Sequence, residues 1–275
     1  MAKYHSIKGV LFFKRILNFS KETVVSGDKR QAPRYAAGHP FPFKTVLTLV
    51  GHDGEGHMIP GNDKTQDWSG RLTNISATGA SIQVHSAAVT ARGEPCHFKF
   101  TLDSYLLDIP STVAYFRSFS QYSLCGFSFN FPDFDTQKAY LQILEPVSIG
   151  ASLTVVDPKE VKQDTAGLHK EEYRGDASSR LTVWRDAPGG TIHSFDLRMN
   201  KYGVRWSAGM TEIDTYGLGE KPPGKKGTRP AVSGLTEEQQ EEVRWLFCLA
   251  VPNLPKGVPS DVRKFFAQLV ALRHP

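Results

Sequence analysis

The chain has 275 residues, a net charge of +5 and a pI near 9.0, with 40% apolar and 22% charged residues. That length suits two domains of ordinary size, and the composition excludes a disordered, collagen-like or coiled-coil chain. The mild basic excess permits an anionic ligand but lacks the dense basic stripe of many nucleic-acid binders.

Three cysteines, Cys96, Cys125 and Cys248, share no metal-ligand spacing and form no even framework. They are read as packing residues of a protein in a reducing compartment, the cytoplasm. The opening stretch MAKYHSIKGVLFFKRILNFSK is apolar only in part, since Lys14 and Arg15 interrupt it. This argues against a signal peptide or membrane span, and Ile7, Val10 and Leu11 suggest a short amphipathic helix within an N-terminal tail over 1–25.

From Phe43 the apolar residues alternate with period two, the mark of half-buried strands. Strands are expected at Lys44 to Val50, Ala80 to His85, Cys96 to Leu102, Ser111 to Phe116 and Gly126 to Phe131. A polar glycine-rich insertion, Gly51 to Gly70, lies after the first of these strands. After Asp133 the period changes: Tyr140, Ile143, Leu144 and Val147 have the spacing of a helix face. Antiparallel strands ending in one helix suggest a small barrel closed at one end, and its domain is placed at 26–150.

Residues 151–178 are charged and poor in apolar side chains, which predicts a linker. Strands are expected again at Ser179 to Arg185, Thr191 to Asn200 and Tyr202 to Gly209, with a basic loop, Gly217 to Pro230, after them. Two helices close the chain. Thr236 and Gln239 form a capping-box pattern ahead of Val243, Leu246, Phe247 and Ala250. Ser260 is the expected cap of a second helix, with Val262, Phe265, Phe266 and Leu269 on one side. Residues 179–275 therefore read as a second, α+β domain of strands and two helices, and the whole chain as mainly β with α.

Several motifs lead nowhere. GEKPPGKK, Gly219 to Lys226, resembles a phosphate-binding loop, but Lys226 stands where the magnesium-binding hydroxyl belongs and Pro222 and Pro223 remove N–H donors. His52, Asp53 and His57 lack zinc-like spacing, so no metal is expected. No nucleophile elbow, zinc-protease helix or dinucleotide turn is present, which argues against an enzyme and gives no cofactor. Trp184, Trp206 and Trp245 read as core aromatics.

One constellation carries chemistry. Arg30 and Arg34 form an Arg-x-x-x-Arg pair just ahead of the first strand, and NISATG supplies Asn74, Ser76 and Gly79 as Asn-x-Ser-x-x-Gly, leading into the strand ASIQV. In this order, with YSLCGFSFNF and a helix closing the unit, the pattern resembles the PilZ domain family from about Ser26 to Val147. The resemblance implies a six-stranded antiparallel barrel that binds the bacterial second messenger cyclic di-GMP. It also implies a flexible arginine segment wrapping the ligand while the second motif contacts it from the barrel surface.

The residue types suit that ligand. A guanidinium donates two hydrogen bonds to guanine O6 and N7, stacks on a base or pairs with a phosphate. Asn74 offers a donor and an acceptor, Ser76 a short hydroxyl, and Gly79 either close approach of ligand or strand or a positive φ. The expectation is a non-enzymatic receptor whose surface, read by a protein partner, changes on binding. The alternative is a degenerate barrel that serves as a protein scaffold and binds no nucleotide.

Overall fold

The structure, a computed structural model, describes residues 33–37, 42–51, 65–102, 105–176, 178–219 and 232–271. The expected helix in the N-terminal tail, Arg30, His52, Asp53, His57 and the basic loop from Lys221 lie outside the described residues. The chain divides into two compact units, Met1–Leu144 and Glu145–Pro275.

In the first unit, strands β1 (Arg34–Ala36), β2 (Lys44–Val50), β3 (Thr65–Ser76), β4 (Gly79–His85), β5 (Pro95–Leu102), β6 (Tyr105–Ser118) and β7 (Tyr122–Phe129) precede helix α1 (Phe134–Ser152). The order β3-β2-β5-β6-β7-β4 returns to β3 through antiparallel pairing, so six strands close into a barrel and β1 is added outside the ring on β3. The expected barrel is present.

Alternation explains its interior. Cys96, Phe98 and Phe100 of β5 are buried while Pro95 and His97 face out, and Phe127 of β7 meets Phe98 at a ring distance of 4.7 Å. Burial pushes the Cys96 and Cys125 thiols up to about 12, in keeping with packing residues. Helix α1 seats Tyr140 against Phe129, with ring centroids 4.6 Å apart. The segment read as an insertion, Gly51 to Gly70, contributes six residues to β3: Thr65 to Gly70 pair with Val50 to Thr45. Their polar composition masks a strand that pairs along its backbone while most of its side chains stay exposed.

The second unit contains β8 (Thr154–Val155), β9 (His169–Arg174), β10 (Arg180–Arg185), β11 (Ile192–Met199), β12 (Tyr202–Ser207), β13 (Asp214–Leu218) and β14 (Val232–Ser233), which form one antiparallel sheet in sequence order. Helices α2 (Glu237–Ala250) and α3 (Ser260–Ala271) come after it. The capping box at Thr236 and Gln239 forms, and Val243, Leu246, Phe247 and Ala250 are buried as expected. α3 includes Ser260 as its first residue, so Ser260 lies inside the helix rather than ahead of it.

The linker expected at 151–178 instead carries β8 and β9, and the division between units falls earlier, inside α1. Its charge is the reason for the misreading. Lys170 and Glu172 are buried on β9, but Lys170 pairs with Asp164 and Glu172 accepts from both Arg174 and Arg180. Paired charge can occupy a position that sequence pattern reserves for apolar residues.

Arg185 ends β10 with only 1% of its surface exposed. Its Nε donates to Glu171 at 2.9 Å, and its Nη1 donates to the Gly190 carbonyl and to Asp261, each at 2.7 Å. One side chain thus joins β9, the β10–β11 hairpin and the first turn of α3. Replacing it by Met takes the guanidinium from Glu171, which keeps the Tyr173 hydroxyl at 3.0 Å, and from Asp261 and the Gly190 carbonyl, and Arg185→Met is expected to cost roughly 1–3 kcal/mol in urea unfolding.

Desolvation works against the Asp261 charge, but hydrogen bonds and charge from Arg185, with backbone N–H donors at the start of α3, outweigh it and lower the pKa. A carboxylate depressed in the folded state binds fewer protons there than in the unfolded chain. Its stabilisation is therefore present above the ordinary Asp value, about 3.9, and is lost as pH falls through the depressed one. Asp261→Asn is expected to lower the urea midpoint at neutral pH and to flatten its fall on acidification.

Candidate functional site

The β3–β4 turn organises the site. The Ser76 hydroxyl donates to the Gly79 carbonyl at 2.9 Å and accepts from the Thr78 amide at 3.4 Å, so a two-residue connection, Ala77 and Thr78, is held by the serine itself. From α1 the buried Tyr140 hydroxyl donates to the Ser76 carbonyl at 2.5 Å. The closing helix therefore fixes the strand corner that bears the motif.

Gly79 has no positive φ and is needed for space. A Cβ built there would lie 2.3 Å from the Phe127 carbonyl oxygen of β7. Of the roles considered for this glycine, close approach of a neighbouring strand is the one the fold uses. Asn74 is oriented by its own neighbour across the ladder, with Nδ2 donating to Ser81 Oγ at 2.5 Å. With one amide N–H engaged there, the amide oxygen faces a donor such as a guanine N–H as the acceptor of the group.

β1 brings in the arginine. Arg34 stands opposite Ser76 and Ala36 opposite Asn74, in an antiparallel pairing extended by the Ala37 amide to the Thr73 carbonyl at 3.0 Å. Residues forty positions apart in sequence thereby line one cleft of about 110 Å³, where Arg34, Asn74, Ser76 and Gly79 meet. Arg30 lies outside the described residues.

The same cleft includes Tyr115 of β6 and Ser128 of β7, which sequence reading did not single out. Tyr115 lies against Gly126: a Cβ on that glycine would sit 2.0 Å from the ring. Arg117 stands over the Tyr115 ring at 5.8 Å. The only signal available beforehand was a glycine inside the strand YSLCGFSF, which marks close approach without naming the partner. Chemically, the cleft offers a guanidinium, an amide acceptor, hydroxyls and an aromatic ring within one strand corner, a set suited to a base edge and an anion.

The fold of this unit is a small closed antiparallel barrel with a closing helix and a polar cleft at one corner. Residues 28–145 match the family model of the PilZ domain, so the N-terminal half of the chain carries a PilZ domain. Among solved structures, the PilZ domain with c-di-GMP of YcgR from Escherichia coli is 11% identical, with 42% of this chain and 88% of that chain covered and a TM-score of 0.31. The K. pneumonia MrkH–c-di-GMP complex is 16% identical over 42% of this chain and 50% of its own, with a TM-score of 0.31. A tetrameric PilZ-domain protein from Xanthomonas campestris is 20% identical over 30% of this chain and 44% of its own, with a TM-score of 0.22. No curated protein matches the chain. Among the described residues no group of His, Cys, Asp or Glu could hold a metal ion, and no helix is long and apolar enough to cross a membrane.

Tyr140→Phe removes one buried hydrogen bond and leaves the Ser76 carbonyl without that donor, for an expected loss of about 1–2 kcal/mol in thermal or urea unfolding. Gly79→Ala is expected to destabilise the barrel by at least as much, because the clash is with backbone. Measuring both in the absence of ligand separates architecture from recognition.

Proposed function

We propose that the PilZ domain of this chain is a receptor for cyclic di-GMP, held by Arg30, Arg34, Asn74, Ser76 and Gly79. The observation that supports this most is the β1–β3 register, which sets Arg34 opposite Ser76 so that the two halves of the motif share one cleft. A guanidinium there can donate to the guanine O6 and N7 pair or to a phosphate, while the Asn74 amide oxygen accepts from a base N–H. Gly79 contributes by letting β4 lie close to β7, which shapes the floor on which the ligand rests.

This is binding chemistry rather than catalysis: the set has donors, acceptors and a stacking surface but no arranged nucleophile and base. The output is a change in the surface around β1, read by a protein partner. β1 suits that role because the ring closes without it.

Isothermal titration with cyclic di-GMP, with GTP as a control, tests the reading. Wild type is expected to bind cyclic di-GMP and not GTP, and Arg34→Ala to weaken binding by about tenfold or more while the barrel stays folded. The Arg30→Ala/Arg34→Ala double variant is expected to lose binding altogether. A folded wild-type protein that takes up no cyclic di-GMP would overturn the proposal.

A further inference from the structure

A second polar cleft lies in the other unit, on a face of its sheet. Strand register places Arg180, Thr182 and Trp184 of β10 on the same face as Asp196 and Arg198 of β11, opposite the side where Val183, Phe195 and Val204 are buried. Two hollows open there, of about 310 and 490 Å³. Trp184, Asp196 and Arg198 line both, so the two hollows adjoin at these residues as a groove along this face. Arg180 and Thr182 line the smaller hollow, while the larger runs off this face to Met210 and to Trp206, which stands opposite Phe195 in the ladder and stacks on it.

Among the described residues, charge along this groove is matched pair by pair except at one place. Lys170 pairs with Asp164 at 3.0 Å, Arg198 with Asp196 at 2.9 Å and Arg205 with Asp214 at 2.7 Å. Arg174 and Arg180, by contrast, share the single carboxylate of Glu172, at 2.9 and 2.7 Å. One positive charge is left over, and of those two arginines it is Arg180 that lines the groove. The Arg180 Nε and the Trp184 Nε1, both buried, have no hydrogen-bond partner among the described residues. A surplus guanidinium with an unmatched Nε, beside an indole whose own N–H is unmatched, is complementary to an acid group attached to a flat body. Trp184 is thus more than the core aromatic its sequence suggested.

We propose that this groove binds a small organic acid bearing one carboxylate or phosphate group on a flat body, with the acid group at Arg180 and Thr182 and the body along Trp184. Both acid groups accept hydrogen bonds in the same way and differ in charge and shape, so the probes separate them. The proposal is independent of cyclic di-GMP binding in the first unit.

The full chain would be titrated calorimetrically with benzoate, with phenyl phosphate and with uncharged benzyl alcohol. Saturable binding of at least one acid and none of benzyl alcohol is expected, and the tighter acid identifies the group. Arg180→Gln leaves Glu172 paired with Arg174 and is expected to weaken that binding about tenfold or more. Arg34→Ala, in the other unit, is expected to leave it unchanged. If Arg180→Gln does not fold, Trp184→Phe, which keeps a ring and removes the N–H, is expected to show the loss instead. Absence of binding by both acids, equal binding of benzyl alcohol, or undiminished affinity in the folded variant would overturn the proposal.

Discussion

The hydrogen bond from Tyr140 to the Ser76 carbonyl is the contact on which the candidate receptor site depends. It joins the closing helix to the corner between β3 and β4, and that corner carries Asn74, Ser76 and Gly79. Around it the constraints are mutual. Ser76 can serve the turn because Gly79 stands at the right spacing, and Gly79 can sit there because β7 presents a carbonyl where any side chain would collide. A motif that reads as a list of ligand contacts is, in the folded chain, first a description of how a strand pair turns beside a neighbour. What that turn leaves over for the proposed ligand is the Asn74 oxygen, the Arg34 guanidinium and the faces of the cleft.

The second unit solves a different problem with the same logic. Its sheet carries charged residues at positions where burial is expensive, and it satisfies them by pairing across and along strands. Arg185 extends this to the helices, since its three acceptors come from β9, a hairpin and α3. Where the pairing is complete the charges are architectural, and where Arg180 and Arg174 share one carboxylate a charge remains for recognition.

The barrel was legible in the sequence because its strands alternate cleanly, as in CHFKFTL, and α1 because Tyr140, Ile143, Leu144 and Val147 keep a helical period. Asn74, Ser76 and Gly79 were legible because turn chemistry is local and fixes its own spacing. What sequence hid was non-local. β9 reads HKEEYR, and only the positions of Asp164, Arg174 and Arg180 in space make its charges tolerable as a strand. Tyr115 entered the cleft unannounced because its place is set by Gly126 on the next strand. The start of β3 reads as an insertion because its residues pair through backbone, which every residue carries and no composition reveals.

β1 is three residues long and attached to the outside of a ring that closes between β3 and β4. Because no barrel hydrogen bond runs through it, the strand can part from β3 and return without opening the core, at a free-energy cost set by a few exposed contacts rather than by global unfolding. The amides of β1 are therefore expected to exchange faster than those of β5, which lies between two strands and above a buried aromatic layer. Arg34 thus sits on an element that the closed ring does not need for its own pairing.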